Sequence, residues 1–156
     1  MEDHLKERPP KKTFSKKTID ALRDKAIDKI KAQLLPDEEV LRIVLIGSSI
    51  KESFEEYRPP GFRGSLYSDF DFIVFVDNDY EIPDWLDREP DGKPFPDDDM
   101  NLAYRNKNFI DGKYDAEVFF IREANANDEE IQELGEQAGI PMTSASAHKH
   151  MVVYSR

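Results

Sequence analysis

The chain has no cysteine among its 156 residues, which excludes a disulfide framework and a zinc-thiolate site. No apolar stretch approaches the ~18 residues that a membrane-spanning helix needs. The first residues, MEDHLKERPPKK, lack the apolar centre of a signal peptide, so the cytoplasm is the expected compartment. Positive charge is also scarce. Lys and Arg number 22 against 33 Asp and Glu, giving a net charge of −11. Phosphate contacts need Lys and Arg, so a long nucleic acid is disfavoured as the main partner; a small anion carried with metal is not. The sequence shows no internal repeat and no low-complexity tract. What it does have is 38% hydrophobic residues in strong runs beside 35% charged ones, a balance that supports a core. The length suits one domain.

Periodicity predicts the elements. Residues 1–14 read as a flexible N-terminal arm and 15–156 as a single domain. Over 15–35, Ile19, Leu22, Ala26, Ile27, Ile30 and Leu34 recur at helical spacing; Ser15 or Thr18 can cap the start and Pro36 stops it. Residues 40–46 form a continuous apolar run, the signature of a strand covered on both faces. Gly47-Ser48-Ser49 then turns into a short helix over 50–57, and a Pro- and Gly-rich loop carries Arg58 and Arg63. Residues 70–76, almost all β-branched or aromatic, make a second strand. An acidic, Pro-rich connection follows over 77–99, in which Trp85 either pins it to the body, the favoured reading, or stacks on a base. Asp97-Asp98-Asp99 would cap a helix over 100–107. Asp111-Gly112 fits a tight turn into a strand over 114–121. Residues 127–138 read as a helix capped by Asn127 or Asp128 and closed by Gly139. In a last strand over 148–154, His148 and His150 share a face, but without a third ligand they read as exposed histidines. The expected fold class is α/β (α+β): a small mixed sheet with helices packed against it.

The chemistry concentrates at the start of the second strand. Asp69 and Asp71 share one face because side chains alternate along a strand. Their spacing is roughly 6.6 Å along the strand. At an effective dielectric of ~20 the two charges repel by about 2.5 kcal/mol. Asp is also depleted in strands. A divalent cation between the carboxylates is the simplest compensation for both costs. A third acid can join them. If the 114–121 strand pairs alongside, Glu117 reaches the same face, with Asp115 as the alternative two residues earlier. Gly47 allows close backbone approach, and a helix beginning near Ser49 would aim free N–H groups at an anion. In a phosphoryl-transfer site Arg63 would sit by the phosphates and neutralise developing charge.

Gly47-Ser48 after a strand, Asp69-Phe70-Asp71 on the next strand, and Glu117 between Ala116 and Val118 together resemble the nucleotidyltransferase superfamily of DNA polymerase beta type. The resemblance covers residues 41–121. It implies a mixed sheet with helices, two Mg²⁺ ions (or Mn²⁺) held by Asp69, Asp71 and Glu117, and a triphosphate gripped by Gly47, Ser48 and Ser49. The implied reaction moves a nucleoside monophosphate from an NTP, ATP first among them, to an acceptor hydroxyl. Two departures stand out: the arm between Ser48 and Asp69 is longer than usual, and the third acid is Glu rather than Asp. About 35 residues follow Ile121, too few for the added domain that holds the acceptor in active members. The alternative reading is therefore a catalytically inactive nucleotide- or partner-binding member. It would work with a protein partner or as a homo-oligomer, toxin–antitoxin-like or regulatory.

Overall fold

The structure, a computed structural model, describes residues 10–59, 61, 65–89 and 103–156. Its elements run β1 (Pro10–Thr13), α1 (Lys16–Leu34), β2 (Val40–Ile46), α2 (Ser48–Lys51), β3 (Glu55–Tyr57) and β4 (Phe70–Val76). Then come β5 (Asp87–Glu89), β6 (Ala103–Ile110), β7 (Tyr114–Arg122), α3 (Glu123–Ala126), α4 (Glu129–Gln137) and β8 (Met151–Ser155). The fold is mixed α+β, as expected. A six-stranded sheet has the order β5-β6-β7-β4-β2-β8, and β1 and β3 form a separate two-stranded ribbon. In the sheet β4 runs parallel to β7 and antiparallel to β2, while β6 and β7 form an antiparallel hairpin.

The core follows from the runs that predicted it. Ile43, Val44 and Leu45 of β2 and Phe72 to Val76 of β4 are all buried, so both faces of the central strands are covered. α1 buries Ile19, Leu22, Ala26, Ile30 and Leu34 along one stripe. Each of its large aliphatic side chains contributes about 1.5–3 kcal/mol through burial. Ser15 caps α1 by accepting from the Thr18 N–H at 3.2 Å, which contributes about 1 kcal/mol. Asp128 caps α4, accepting from the Glu130 and Ile131 N–H groups. Trp85 packs, as expected, stacking on Phe109 with ring centroids 5.4 Å apart.

Four expectations need correction. The arm is not free as far as residue 14: Pro10–Thr13 pairs with β3, and Phe14 meets Phe54, Tyr67 and Tyr114 edge-on. Residues 1–9 lie outside the described residues. The helix expected over 50–57 is a four-residue turn followed by a strand, because Glu52 adopts φ 58° and Ser53 and Phe54 lead into β3. The helix expected over 100–107 is replaced from Ala103 by β6, the partner strand that the Asp111-Gly112 turn requires; residues 100–102 and Asp97–Asp99 lie outside the described residues. The last strand begins at Met151, and His148 instead meets the Glu136 carbonyl at 2.6 Å. Among the described residues no helix is long and apolar enough to cross a membrane.

Candidate functional site

Asp71 sits on β4 directly beside Glu117 of β7, because Phe70 pairs with Ala116 and Asp71 with Glu117 in parallel register. The shared face therefore carries both acids, with Asp69 entering just ahead of the strand. Ligand oxygens of Asp69, Asp71 and Glu117 all lie within 4.8 Å of one another, and no other such group of three occurs among the described residues. Asp69 is placed from behind. Ser68 donates its N–H to the Glu55 carbonyl at 2.9 Å, and its hydroxyl accepts from the Glu55 N–H at 3.0 Å. The Ser68 hydroxyl also meets the Tyr57 hydroxyl at 3.1 Å. The long arm between β3 and β4 is thus tied back onto β3 immediately before the acid.

Asp71 is strongly perturbed. Its Oδ1 is sealed from solvent and has no hydrogen-bond partner among the described residues. Loss of solvation, then the Asp69 and Glu117 charges, push its carboxyl well above the ordinary carboxylate range. Gly47 lies against its other oxygen. Gly47 has φ 88°, and a Cβ there would collide with Asp71 Oδ2. Gly47 is therefore required twice, by its backbone conformation and by the carboxylate it abuts. These observations match a divalent cation: three oxygen donors converge, and one sealed carboxyl oxygen has no hydrogen-bond partner among the described residues.

The Gly47-Ser48-Ser49 corner does reach the acids, at the end of β2, where Ile46 pairs with Asp71. It differs from the expected anion cradle in two respects. α2 has only four residues, so it carries little of the summed dipole that a long helix offers. Ser49 is wholly buried with its hydroxyl unpartnered among the described residues, and its carbonyl accepts from Arg23 at 3.0 Å; Ser48 is the outer of the two serines, at 8% exposure. Arg63 lies outside the described residues.

No protein-family model matches the chain, and no curated protein matches it. The site's geometry therefore carries the functional reading.

The sequence reading missed Arg105. This β6 residue is opposite Glu117 in the hairpin and is 7% exposed. Its Nη1 lies 3.1 Å from Asp69 Oδ2 and donates to Asp115 Oδ2 at 3.2 Å, while Nη2 donates to Glu117 Oε2 at 3.1 Å. One guanidinium thus bridges three carboxylates. Asp115, the alternative third acid, is buried and committed elsewhere: besides Arg105 it accepts from the Asn108 N–H at 2.9 Å. Asn108 has φ 58° within the irregular stretch of the β6–β7 pairing, so Asp115 also fastens that bulge. Arg105 was hidden because residues 100–107 read as a helix. The Asp111-Gly112 turn was the available signal, since such a turn joins two strands.

Proposed function

We propose that the chain is a metal-dependent nucleotidyltransferase of the polymerase-beta type, moving a nucleoside monophosphate from an NTP to an acceptor hydroxyl. The observation that carries this reading is the convergence of Asp69, Asp71 and Glu117, with carboxylate oxygens within 4.8 Å of one another, at an acid whose Oδ1 has no hydrogen-bond partner among the described residues. Asp69, Asp71 and Glu117 are the residues that would hold Mg²⁺ or Mn²⁺. Such ions supply neutralisation of phosphate charge and a lowered pKa for the acceptor hydroxyl. Gly47 lets the triphosphate approach the backbone, and Ser48 offers its hydroxyl beside it. The acceptor oxygen bonds to the α-phosphorus, the bond from that phosphorus to the bridging oxygen breaks, pyrophosphate leaves, and the hydroxyl proton passes to water. ATP is the first candidate donor. The net charge of −11 favours a small or protein acceptor over a long nucleic acid, and the absence of cysteine suits the cytoplasm. The test is a screen of labelled NTPs with Mg²⁺ or Mn²⁺ against a lysate. A labelled product that is lost in Asp69→Asn and Asp71→Asn is expected; full transfer by either variant overturns the assignment.

Arg105 favours a second reading, in which the chain binds nucleotide or a partner without turnover, because its guanidinium already lies on Asp69 and Glu117. Calorimetry with ATP and Mg²⁺ separates the two: tight binding with no labelled product under any acceptor supports this second reading.

A further inference from the structure

We infer that Arg105 is a built-in cation that takes the place of one metal ion on the triad, so that the resting protein accepts one divalent cation instead of two. This rests on the reading of Asp69, Asp71 and Glu117 as a metal centre. The guanidinium holds Asp69 Oδ2 and Glu117 Oε2, each at 3.1 Å. Among the described residues it leaves Asp71 Oδ1 without a hydrogen-bond partner, so one place for positive charge persists at the inner acid. A first ion can centre on Asp71. A second needs the oxygens that Arg105 already occupies.

Arg105 cannot yield its place by losing a proton, because a guanidinium stays charged at any ordinary pH. It has to move, and the structure restrains it. The side chain is 9% exposed, and its Nη1 is anchored 3.2 Å from Asp115 Oδ2. Asp115 is itself buried and held through its other oxygen by the Asn108 N–H. The anchor lies outside the metal-capable trio, so filling the trio does not release it. Arg105 is on this account a positioning residue that acts through the carboxylates it holds. Two-ion transfer would then wait until something draws its guanidinium off Asp69 and Glu117.

The test counts bound Mn²⁺ by electron paramagnetic resonance on the full chain at neutral pH, without nucleotide, so it does not depend on turnover. Wild type is expected to bind one ion per chain. Arg105→Gln is expected to bind two, the second at least tenfold more tightly than any second ion on wild type. Because Arg105→Gln leaves Asp115 buried without its cation, the pair Arg105→Gln/Asp115→Asn removes both charges together and is expected to behave alike. Should neither variant fold, the wild-type count decides alone. Two ions on wild type, or a single ion on the folded variants, overturns the inference while leaving the metal centre standing. No Mn²⁺ on wild type or on a folded variant overturns the metal centre itself, and the inference with it.

Discussion

Asp71→Asn should make the metal-free protein more stable and unable to gain stability from metal. Oxygens of Asp69, Asp71 and Glu117 lie within 4.8 Å of one another. Two unit charges at that distance repel by about 3.5 kcal/mol at an effective dielectric of ~20. Asp71 faces two such neighbours, and Arg105 on Asp69 and Glu117 offsets part of the repulsion. A net relief of about 2 kcal/mol is a conservative figure, since Asn keeps the shape and its amide can donate to a neighbouring carboxylate. For a chain of this length that is a rise in Tm of about 4–8 °C. The gain also has a pH signature. Burial, then Asp69 and Glu117, raise the Asp71 carboxyl, so the folded state binds that proton more tightly than the unfolded chain does. The resulting penalty is absent below the ordinary carboxylate pKa and grows as pH rises from there toward the folded value. Wild type and variant should therefore melt together near about pH 3.5 and diverge toward neutrality. Calorimetry in a chelator, across pH and then with Mn²⁺, measures all of this. A variant less stable than wild type at neutral pH in chelator, or equal stabilisation of both by Mn²⁺, refutes the reasoning.

Gly47→Ala should destabilise by about 2–3 kcal/mol in urea unfolding, from the positive φ together with the Cβ contact on Asp71 Oδ2. The same variant should weaken Mn²⁺ binding by moving Asp71. Asp115→Ala strips Arg105 of its buried anchor and the Asn108 N–H of its acceptor, so a loss of about 3 kcal/mol is expected by the same measurement. Phe14→Ala removes a ring that touches Phe54, Tyr67 and Tyr114 and should cost about 2 kcal/mol; no change would return residues 10–14 to a free arm.

The central strands were legible because their burial is two-sided. Val40–Ile46 and Phe70–Val76 are continuous apolar runs, and the structure gives both the expected bounds. The α1 stripe was equally plain, with Ser15 and Pro36 marking its ends. The elements that sequence reading missed are those whose stability is not their own. β1 and β3 are three or four residues long and exist by pairing with each other. β6, with Arg105, Asn106, Lys107 and Asn108 in succession, has too few apolar residues to announce a strand; the hairpin with β7 holds it. Asp69, Asp71 and Glu117 were legible as acids placed where acids are costly. Arg105 was not, since its meaning appears only once β6 is laid against β7.

Strand direction explains why the pieces meet. β4 and β7 run parallel, so Asp71 and Glu117, paired toward the start of both strands, fall toward one end of the central strands. β2 runs antiparallel to β4, which brings its final residue, Ile46, and then Gly47 to that same end. β6 runs antiparallel to β7, which delivers Arg105 opposite Glu117. The faces are set by period two: Phe72 and Val74 of β4 pair with Val118 and Phe120 of β7, all four buried, while Asp71 and Glu117 alternate to the other side. A slip of one residue between β4 and β7 would bring Glu117 level with an apolar position and turn it away from Asp71. Burial of Phe72, Val74, Val118 and Phe120 therefore fixes the acid register as well as the core. A core change that loosens this pairing, such as Phe120→Ala, should cost about 3–5 kcal/mol and weaken Mn²⁺ binding although it touches no carboxylate. Unchanged Mn²⁺ affinity in a destabilised Phe120→Ala protein would mean that the acids are held together by something other than the register.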